Sequence, residues 1–331
     1  MQSSGENFKS RIFKCNDFEA LTLDIFKFQA QHNNVYSRYL DLLGVNADDV
    51  KSIDQIPFLP VEVFKNHDVV TGYFVPEAIF KSSGTSGSTN RSHHRVKSLD
   101  WYHNVSQRIF EDQFGSLKET KWFGLLPGYL ERGDSSLVEM TNHFMSASGS
   151  DKNFFLHDYK GFNELIESSE KCVKVIGVTH ALLDWIEGDL RPNSNRNLTI
   201  IETGGMKGHG DEPIRSEVHE RIKSILPDAS VHSEYGMTEL LSQAYSTDGR
   251  FFEAPKWMRI IIKDTADPMN QLERGRTGRV QIIDLANIDS CSFISTSDLG
   301  RMEEIENSNR FEILGRFDHS EIRGCNLLSV N

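Results

Sequence analysis

The chain has 331 residues, with 36 Lys and Arg against 48 Asp and Glu, a formal net charge of -12 at pH 7, 38% hydrophobic and 25% charged residues. That balance suits an ordinary globular enzyme with a substantial core, built as one large domain or two medium ones. It argues against general nucleic-acid binding, which needs basic faces, but leaves room for locally clustered Arg and Lys to hold an anionic ligand.

Cys15, Cys172, Cys291 and Cys325 are far apart and form no C-x-x-C pair, so neither a zinc site nor a disulfide framework is indicated, and a reduced, cytoplasmic setting is expected. Cys15, Cys172 and Cys291 read as structural, because free Cys is often buried. The polar start Met1-Gln-Ser-Ser-Gly-Glu-Asn7 lacks an apolar signal core. No apolar run approaches the roughly 20 residues of a membrane helix.

In chain order, residues 12–44 read as helical. Phe18, Leu21, Ile25 and Phe28 recur at spacings of three and four behind Asp17 as N-cap, and Gly44 is the stop. Residues 53–66 carry Ile56-Pro-Phe-Leu-Pro60 and read as an extended connector. Ala78-Ile-Phe80 reads as a strand, residues 100–114 as a helix, Trp122-Phe-Gly-Leu-Leu126 as a buried strand, and Leu137 to Met145 as a helix. Val173 to Val178 and Leu198 to Ile201 are strands with a helix at Ala181–Ile186 between them. Glu212 to Leu226 is an amphipathic helix and Val231 to Ser233 a short strand. This alternation predicts an α/β fold with a largely parallel sheet. The last third changes character: Trp257 to Ile262, Gly278 to Ile283 and Phe311 to Leu314 read as strands joined by Gly- and Asp-rich turns.

The stretch with the densest chemistry is Phe80-Lys-Ser-Ser-Gly-Thr-Ser-Gly-Ser-Thr-Asn-Arg91. It reads as a small-residue loop between a strand and a helix. Gly84 and Gly87 let the backbone bend and approach a ligand, Ser82, Ser83, Thr85 and Ser86 offer hydroxyls, and Arg91, Arg95 and Lys97 add positive charge. It is either a phosphate cradle or a flexible Ser/Gly linker. It is not a Walker A loop, since no Lys follows Gly87, nor a nucleophile elbow.

Four further stretches fall near strand ends, where α/β enzymes keep ligand loops. Gly204-Gly205 permits close contact with a flat ring or a phosphate, or simply makes a tight turn. Ser233-Glu-Tyr-Gly-Met-Thr-Glu239 gathers the ring of Tyr235, the small Gly236, Met237, the Thr238 hydroxyl and the Glu239 carboxylate. Glu239 is a Mg²⁺ ligand or a helix N-terminal residue. Asp298, in Ser297-Asp-Leu-Gly300, sits at a β-turn and binds ribose hydroxyls or only serves the turn. Arg316 offers a ribose or phosphate donor. The histidines show no i, i+4 pattern for zinc; His180, at a strand-to-helix junction, is the first candidate to polarise a carboxylate.

The order and spacing of these stretches across residues 75–324 resemble the adenylate-forming enzymes, which include acyl-CoA synthetases, phenylacetate-CoA ligases and nonribosomal adenylation domains. Within that superfamily the chain resembles the acyl-protein synthetases of the bacterial luminescence fatty acid reductase complex. Phe80-Lys-Ser-Ser-Gly-Thr-Ser-Gly87, Leu125-Leu-Pro-Gly-Tyr-Leu-Glu-Arg-Gly-Asp-Ser-Ser-Leu137 and Ile322-Arg-Gly-Cys-Asn-Leu327 carry that likeness. The superfamily's Thr-Gly-x-Pro-Lys is replaced here by Ser86-Gly-Ser-Thr-Asn-Arg91, so Arg91 is expected to stand in for the phosphate-binding Lys.

The resemblance implies the large N-terminal domain of an adenylate-forming enzyme over residues 1–314, with parallel-sheet subdomains and a β-rich part near its C-terminal end. A hinge and short tail then occupy 315–331. The mobile C-terminal domain of larger relatives, with its catalytic Lys, is expected to be lacking. The implied cofactors are ATP and Mg²⁺, the latter on Glu239. Ser82, Ser83, Gly84, Thr85, Ser86, Gly87 and Arg91 would hold the β- and γ-phosphates. Gly204 and Gly205 would flank adenine, with Tyr235 stacked on it beside Gly236 and Met237. Thr238 would meet the α-phosphate, and Asp298 and Arg316 the ribose. The implied substrate is a carboxylic acid, in all expectation a fatty acid. The acyl acceptor is Cys325 itself, CoA, or a reductase or carrier protein; Cys325 is otherwise an ordinary terminal residue. The alternative from another class is a nucleotide-binding protein without catalysis.

Overall fold

The computed structural model describes residues 4–14, 16–83, 90–127, 130, 133–151, 153–155, 158–188, 198–204 and 213–317. Three helices open the chain, α1 (Ser4–Ile12), α2 (Phe18–His32) and α3 (Asn34–Leu42). The expected helical stretch 12–44 is therefore divided, and a helix precedes it. Asp17 caps α2 as expected, its carboxylate accepting the Ala20 N–H at 3.0 Å. The division falls at Asn33. Its backbone N–H donates to Gln29 O while its side chain accepts from Tyr36 N at 3.0 Å, so one residue ends α2 and starts α3. Gly44 follows the end of α3 with φ +67.

The connector expected at 53–66 contains single turns of 3₁₀ helix at Ile53–Gln55 and Val61–Lys65 around a short strand, β1 (Leu59–Pro60). Strands β2 (Ala78–Lys81) and β3 (His93–Val96) then pair antiparallel, with Phe80 opposite His94, and helix α4 (Leu99–Phe114) follows. The Ser/Gly stretch thus joins two strands of a hairpin, not a strand and a helix. The period-2 burial of His93-His-Arg-Val96, with His94 and Val96 inward, makes the second strand.

The parallel region is β4 (Thr120–Leu125), α5 (Ser136–Ser148), α6 (Tyr159–Glu167), β5 (Cys172–Val178), α7 (Thr179–Glu187), β6 (Leu198–Thr203), α8 (Arg215–Ile225) and β7 (Ser230–Tyr235). The antiparallel region is β8 (Ala244–Ser246), β9 (Phe252–Glu253), β10 (Met258–Lys263), β11 (Gly278–Asp284), β12 (Phe293–Met302) and β13 (Arg310–Arg316). One sheet spans both, in the order β10-β11-β12-β13-β9-β8-β7-β6-β5-β4, with β1 beside β12. Along that order β4 to β7 run parallel and from β7 to β8 onward each pair is antiparallel, while β1 lies parallel to β12. The expectation of a largely parallel sheet is correct for that half alone.

Apolar side chains on both faces of β4–β7 explain why these strands read as near-continuous hydrophobic runs. Phe123, Val173, Val175, Ile200 and Val231 pack against Phe162, Trp185 and Ile222 of α6, α7 and α8. Trp122, Ile176 and Ile201 belong to a larger cluster with Phe110, Phe144 and the antiparallel strands. That cluster reaches α2 and α3 through Phe293 of β12, whose ring stacks on Tyr36 (centroids 6.0 Å apart) and meets Phe26 and Phe58 edge-on. Cys291 is buried, as expected, and burial pushes its thiol up to about 12. Cys172, expected to be buried, is exposed at the first residue of β5. Cys15 and Cys325 lie outside the described residues.

Phe293 is fully buried and touches three aromatic rings. Phe293→Ala is predicted to cost about 3–5 kcal/mol, read as a drop in the urea midpoint at unchanged slope; a loss under about 1 kcal/mol would contradict this packing.

Candidate nucleotide site

Past β7 the chain does not cross to a helix. It turns through residues 236–243 and enters β8 antiparallel to β7. From Glu239 onward the turn is buried, so its backbone polar groups need partners inside the protein. They find them on β3, at the end of β11 and just past it. His94 of β3 donates from Nδ1 to Thr238 O at 2.8 Å, and Asn287 donates from Nδ2 to Glu239 O at 2.8 Å. Asp284, ending β11, accepts from Leu241 N at 3.0 Å, Ser242 N at 2.9 Å and Ser242 Oγ at 2.7 Å. Gly236 sits against the end of the Glu234 side chain: a Cβ there would lie 2.3 Å from Glu234 Oε1, which would have to move.

Glu239 itself is 5% exposed. Burial raises its carboxyl above the usual range, and a hydrogen bond from Ser92 opposes the shift; the charges of Arg316 and Asp298 also reach it. It is not at a helix N-terminus. Asp298, expected at a β-turn, lies within β12, opposite Arg316 of β13, with 3.5 Å between Arg316 Nε and Asp298 Oδ1. Strand pairing, rather than turn chemistry, places it. Burial raises the Asp298 carboxyl, and the Tyr235 hydroxyl, donating at 2.7 Å, works against that. The Tyr235 ring is buried between Phe252 and Phe311, with centroids 5.6 Å away in each case. Tyr235, Glu239, Asp298 and Arg316, separate in sequence, thus form one cluster; Met237 and Thr238 are half-buried at its edge.

The hairpin loop enters this cluster by its shoulders. Ser82 N donates to Ser92 O, and Ser92 N donates to Ser82 Oγ, both at 3.0 Å. Gly84, Thr85, Ser86 and Gly87 lie outside the described residues; Ser83 is exposed just before them. Arg91, expected to replace a phosphate-binding Lys, is committed elsewhere. Its guanidinium grips Asp134 with two hydrogen bonds of 2.8 and 2.9 Å and donates to the carbonyls of Lys81 and Ser82. Lys81 N also donates to Asp134 O at 2.8 Å. Arg95 pairs with Asp68 at 2.7 Å and Lys97 with Asp289 at 3.3 Å. In an acidic chain, the positive charge following the loop is neutralised by local carboxylates.

At the carboxyl ends of β6 and β7 lies a second acidic pair. Thr179 at the start of α7 donates to Glu202 Oε1 at 2.5 Å or to Gly204 O at 2.8 Å, and Thr203 donates to Glu234 Oε2. Gly204 has φ +75 and an exposed backbone, the open turn its type was expected to supply. Gly205 lies outside the described residues. His180 is the buried second residue of α7. Burial, with Glu202 nearby, drives the Glu234 carboxyl up to about 7.

Sequence reasoning missed Ser92, His94, Asp134, Glu234, Asp284 and Asn287. Two left a trace: His94 in the alternation of β3, and Asn287 as a lone amide in Leu285-Ala-Asn-Ile288. No group of three or more His, Cys, Asp or Glu able to hold a metal occurs among the described residues. One buried carboxylate beside a hydroxyl, Glu239 with Ser92, does fit Mg²⁺ shared with substrate phosphates, because Mg²⁺ takes oxygen ligands and is usually bound through one or two carboxylates plus phosphates.

Comparison with known proteins bears on the fold. No protein-family model matches the chain. It is 22% identical, over 95% of its length and 88% of the relative's, to the long-chain-fatty-acid–luciferin-component ligase of Aliivibrio fischeri. In fold it is similar to 2-hydroxyisobutyryl-CoA ligase in the postadenylation state, with TM-score 0.69, 13% identity, and 90% of this chain and 68% of that one covered. The ATP-bound RpMatB-BxBclM chimera B1 is also similar, with TM-score 0.56, 19% identity and 72% of this chain covered; the matched part spans 47% of the chimera. The fold is that of the adenylate-forming ligases, and the likeness to ligases extends along nearly the whole sequence, bearing out the resemblance drawn from the motifs. No helix among the described residues is long and apolar enough to cross a membrane.

The Glu234 shift sets a pH dependence. Its folded-state value lies above the ordinary 4.5, so its protonated form adds stability that is fully present below pH 4.5 and lost as pH rises through about 7. Glu234→Gln removes the titration. The melting temperature of the variant minus that of the wild type is therefore predicted to grow between pH 5 and pH 8; a difference flat with pH would contradict the shift.

Proposed function

We propose that this chain activates a carboxylic acid, a fatty acid in the reading favoured here, with ATP, and transfers the acyl group to a thiol. The observation that carries the reading is the convergence of Ser92, Glu239, Tyr235, Asp298 and Arg316 on one place, reached by the shoulders of the Ser/Gly loop. The ligase relative and the ligase fold support it.

In this reading the substrate carboxylate oxygen attacks the α-phosphorus of ATP. The bond from that phosphorus to the bridging oxygen breaks, pyrophosphate leaves with the electron pair, and an acyl-adenylate remains. A thiolate sulfur then attacks the acyl carbon and AMP leaves, giving a thioester. Such a transfer asks the protein for positioning and charge neutralisation rather than covalent chemistry. The loop that includes Ser82, Ser83, Gly84, Thr85, Ser86 and Gly87 cradles the β- and γ-phosphates, and Thr238 meets the α-phosphate. Glu239, with Ser92 beside it, holds Mg²⁺, which supplies neutralisation of the pyrophosphate charge when bound. Asp298 and Arg316 take the ribose hydroxyls. Tyr235 lies under adenine with its hydroxyl fixed by Asp298, and Gly204 and Gly205 leave its edge open. Arg91 serves the site by closing the loop's base through Asp134. The acceptor thiol is Cys325, or that of CoA or a carrier protein.

Incubation with ATP, Mg²⁺ and a panel of fatty and aromatic acids, followed by pyrophosphate assay and intact-mass measurement, tests both half-reactions. Pyrophosphate release is expected with at least one acid, and an acyl adduct that disappears in Cys325→Ala. Release with no adduct moves the acceptor to CoA or a carrier; no release with any acid sinks the reading. Glu239→Gln is predicted to lower the release rate about 10²-fold or more, the scale expected for a group that stabilises developing charge.

A further inference from the structure

The turn that carries Thr238 and Glu239 is held by side chains that no motif includes. We propose that His94 and Asn287 are positioning residues that fix the Thr238–Glu239 backbone against the shoulder of the phosphate loop. The inference rests on the adenylation reading for its catalytic consequence and on the hydrogen-bond geometry for its structural one.

His94 and Ser92 stand two residues apart at the start of β3, so they share one side of the extended backbone. Ser92 reaches the Glu239 carboxylate, and His94 holds the carbonyl of the preceding residue, Thr238. The short segment that leaves the Ser/Gly loop therefore grips two consecutive residues of the turn. A carbonyl oxygen only accepts, so Nδ1 of His94 carries the proton in this contact. His94 is 1% exposed, and its ring stands edge-on to Phe64 at 6.1 Å, which fixes the direction in which Nδ1 points.

Asn287, whose side chain also meets that of His94, holds the next carbonyl. Its Nδ2 donates to Glu239 O at 2.8 Å and to Cys291 O at 2.9 Å, joining the turn to the β11–β12 connection. That connection is anchored in turn by Gln29 of α2. Gln29 Nε2 lies 3.1 to 3.3 Å from the carbonyls of Asn287, Ile288 and Ser290, and its Oε1 accepts from Ser292 N at 2.9 Å. The position of Glu239 is thus tied to two parts of the fold at once, strand β3 through His94 and the α2–β12 region through Asn287. Loss of either leaves a carbonyl of the turn without its donor and frees the turn to shift relative to the loop.

The test compares three variants with the wild-type chain. In His94→Asn the amide nitrogen falls where Nδ1 was; in His94→Gln the donor moves to the place of Nε2; His94→Leu removes it. Two quantities are measured on folded protein: backbone amide exchange in residues 236–242, and the Mg²⁺ dependence of acid-dependent pyrophosphate release. A shift of the turn by about 1 Å corresponds to roughly a 10²-fold loss in rate. His94→Leu and His94→Gln are therefore expected to lose about tenfold to a hundredfold in kcat. They should also need more Mg²⁺ for half-maximal rate and exchange faster in 236–242, with the KM for the acid held. His94→Asn should recover most of the rate and the exchange protection. Should His94→Leu fail to fold, the Asn and Gln variants decide the matter between them. Equal behaviour of Asn and Gln, or a loss of rate with Mg²⁺ dependence and exchange unchanged, overturns the proposal. A wild-type chain that releases no pyrophosphate sinks the adenylation reading instead. In that case the exchange comparison still decides the clamp: unchanged exchange in 236–242 overturns it, and faster exchange sustains it.

Discussion

The sheet changes from parallel to antiparallel at β7–β8, and most of the site follows from that change. A parallel neighbour would require a crossover helix, whose backbone satisfies itself. The antiparallel neighbour β8 instead leaves eight residues between the two strands, and from Glu239 they lie inside the protein. Buried backbone without regular structure is tolerated only if side chains supply its hydrogen bonds. Asp284 at the end of β11, Asn287 just past it and His94 of β3 supply them to the turn. The turn is consequently over-determined, and a carboxylate attached to it is held at a fixed place without being part of any helix or strand.

The same change brings the side chains of the candidate site together. The carboxyl ends of parallel strands are where α/β sheets keep their ligand loops, and here β7 continues through β8 and β9 to β13 and β12 of the antiparallel half. Asp298 and Arg316 arrive there as cross-strand partners, and the Tyr235 hydroxyl crosses from the parallel half to the antiparallel half to reach Asp298. That hydrogen bond ends on a buried carboxylate whose own charge is disfavoured by burial, so donor and acceptor each stabilise the other in place. Gly300 allows the closeness of β12 and β13: a Cβ there would lie 2.5 Å from the Glu312 carbonyl oxygen.

Much of this was legible in the chain, and the unreadable parts have physical causes. Apolar runs such as Val173–Val178 announce strands buried on both faces, and Tyr235 to Glu239 stands out through its mixture of ring, hydroxyl and carboxylate at the end of β7. Asp298 was found as a residue but misplaced in a turn, because Asp and Gly nearby mimic turn chemistry while the strand is fixed by pairing with β11 and β13. Strand β3 was missed because four residues of His, Arg and Val carry too short a pattern. Arg91 was read as a stand-in for the phosphate-binding Lys, and its pairing with Asp134 was not seen because that partner lies 43 positions away, a distance that no local pattern spans. His94 and Asn287 act through backbone carbonyls, which leave no mark on the sequence of the turn they hold.

The central claim is that the Tyr235–Glu239–Asp298 cluster is a nucleotide site, and binding measured directly tests it without assuming any acid. Calorimetric titration of ATP with Mg²⁺ into the wild type and into Asp298→Ala is predicted to show saturable binding by the wild type. The variant should lose about tenfold or more, the range for a hydrogen-bonded charged group of about 1.5–3 kcal/mol. No binding by the wild type, or equal affinity in the two proteins, would contradict the account.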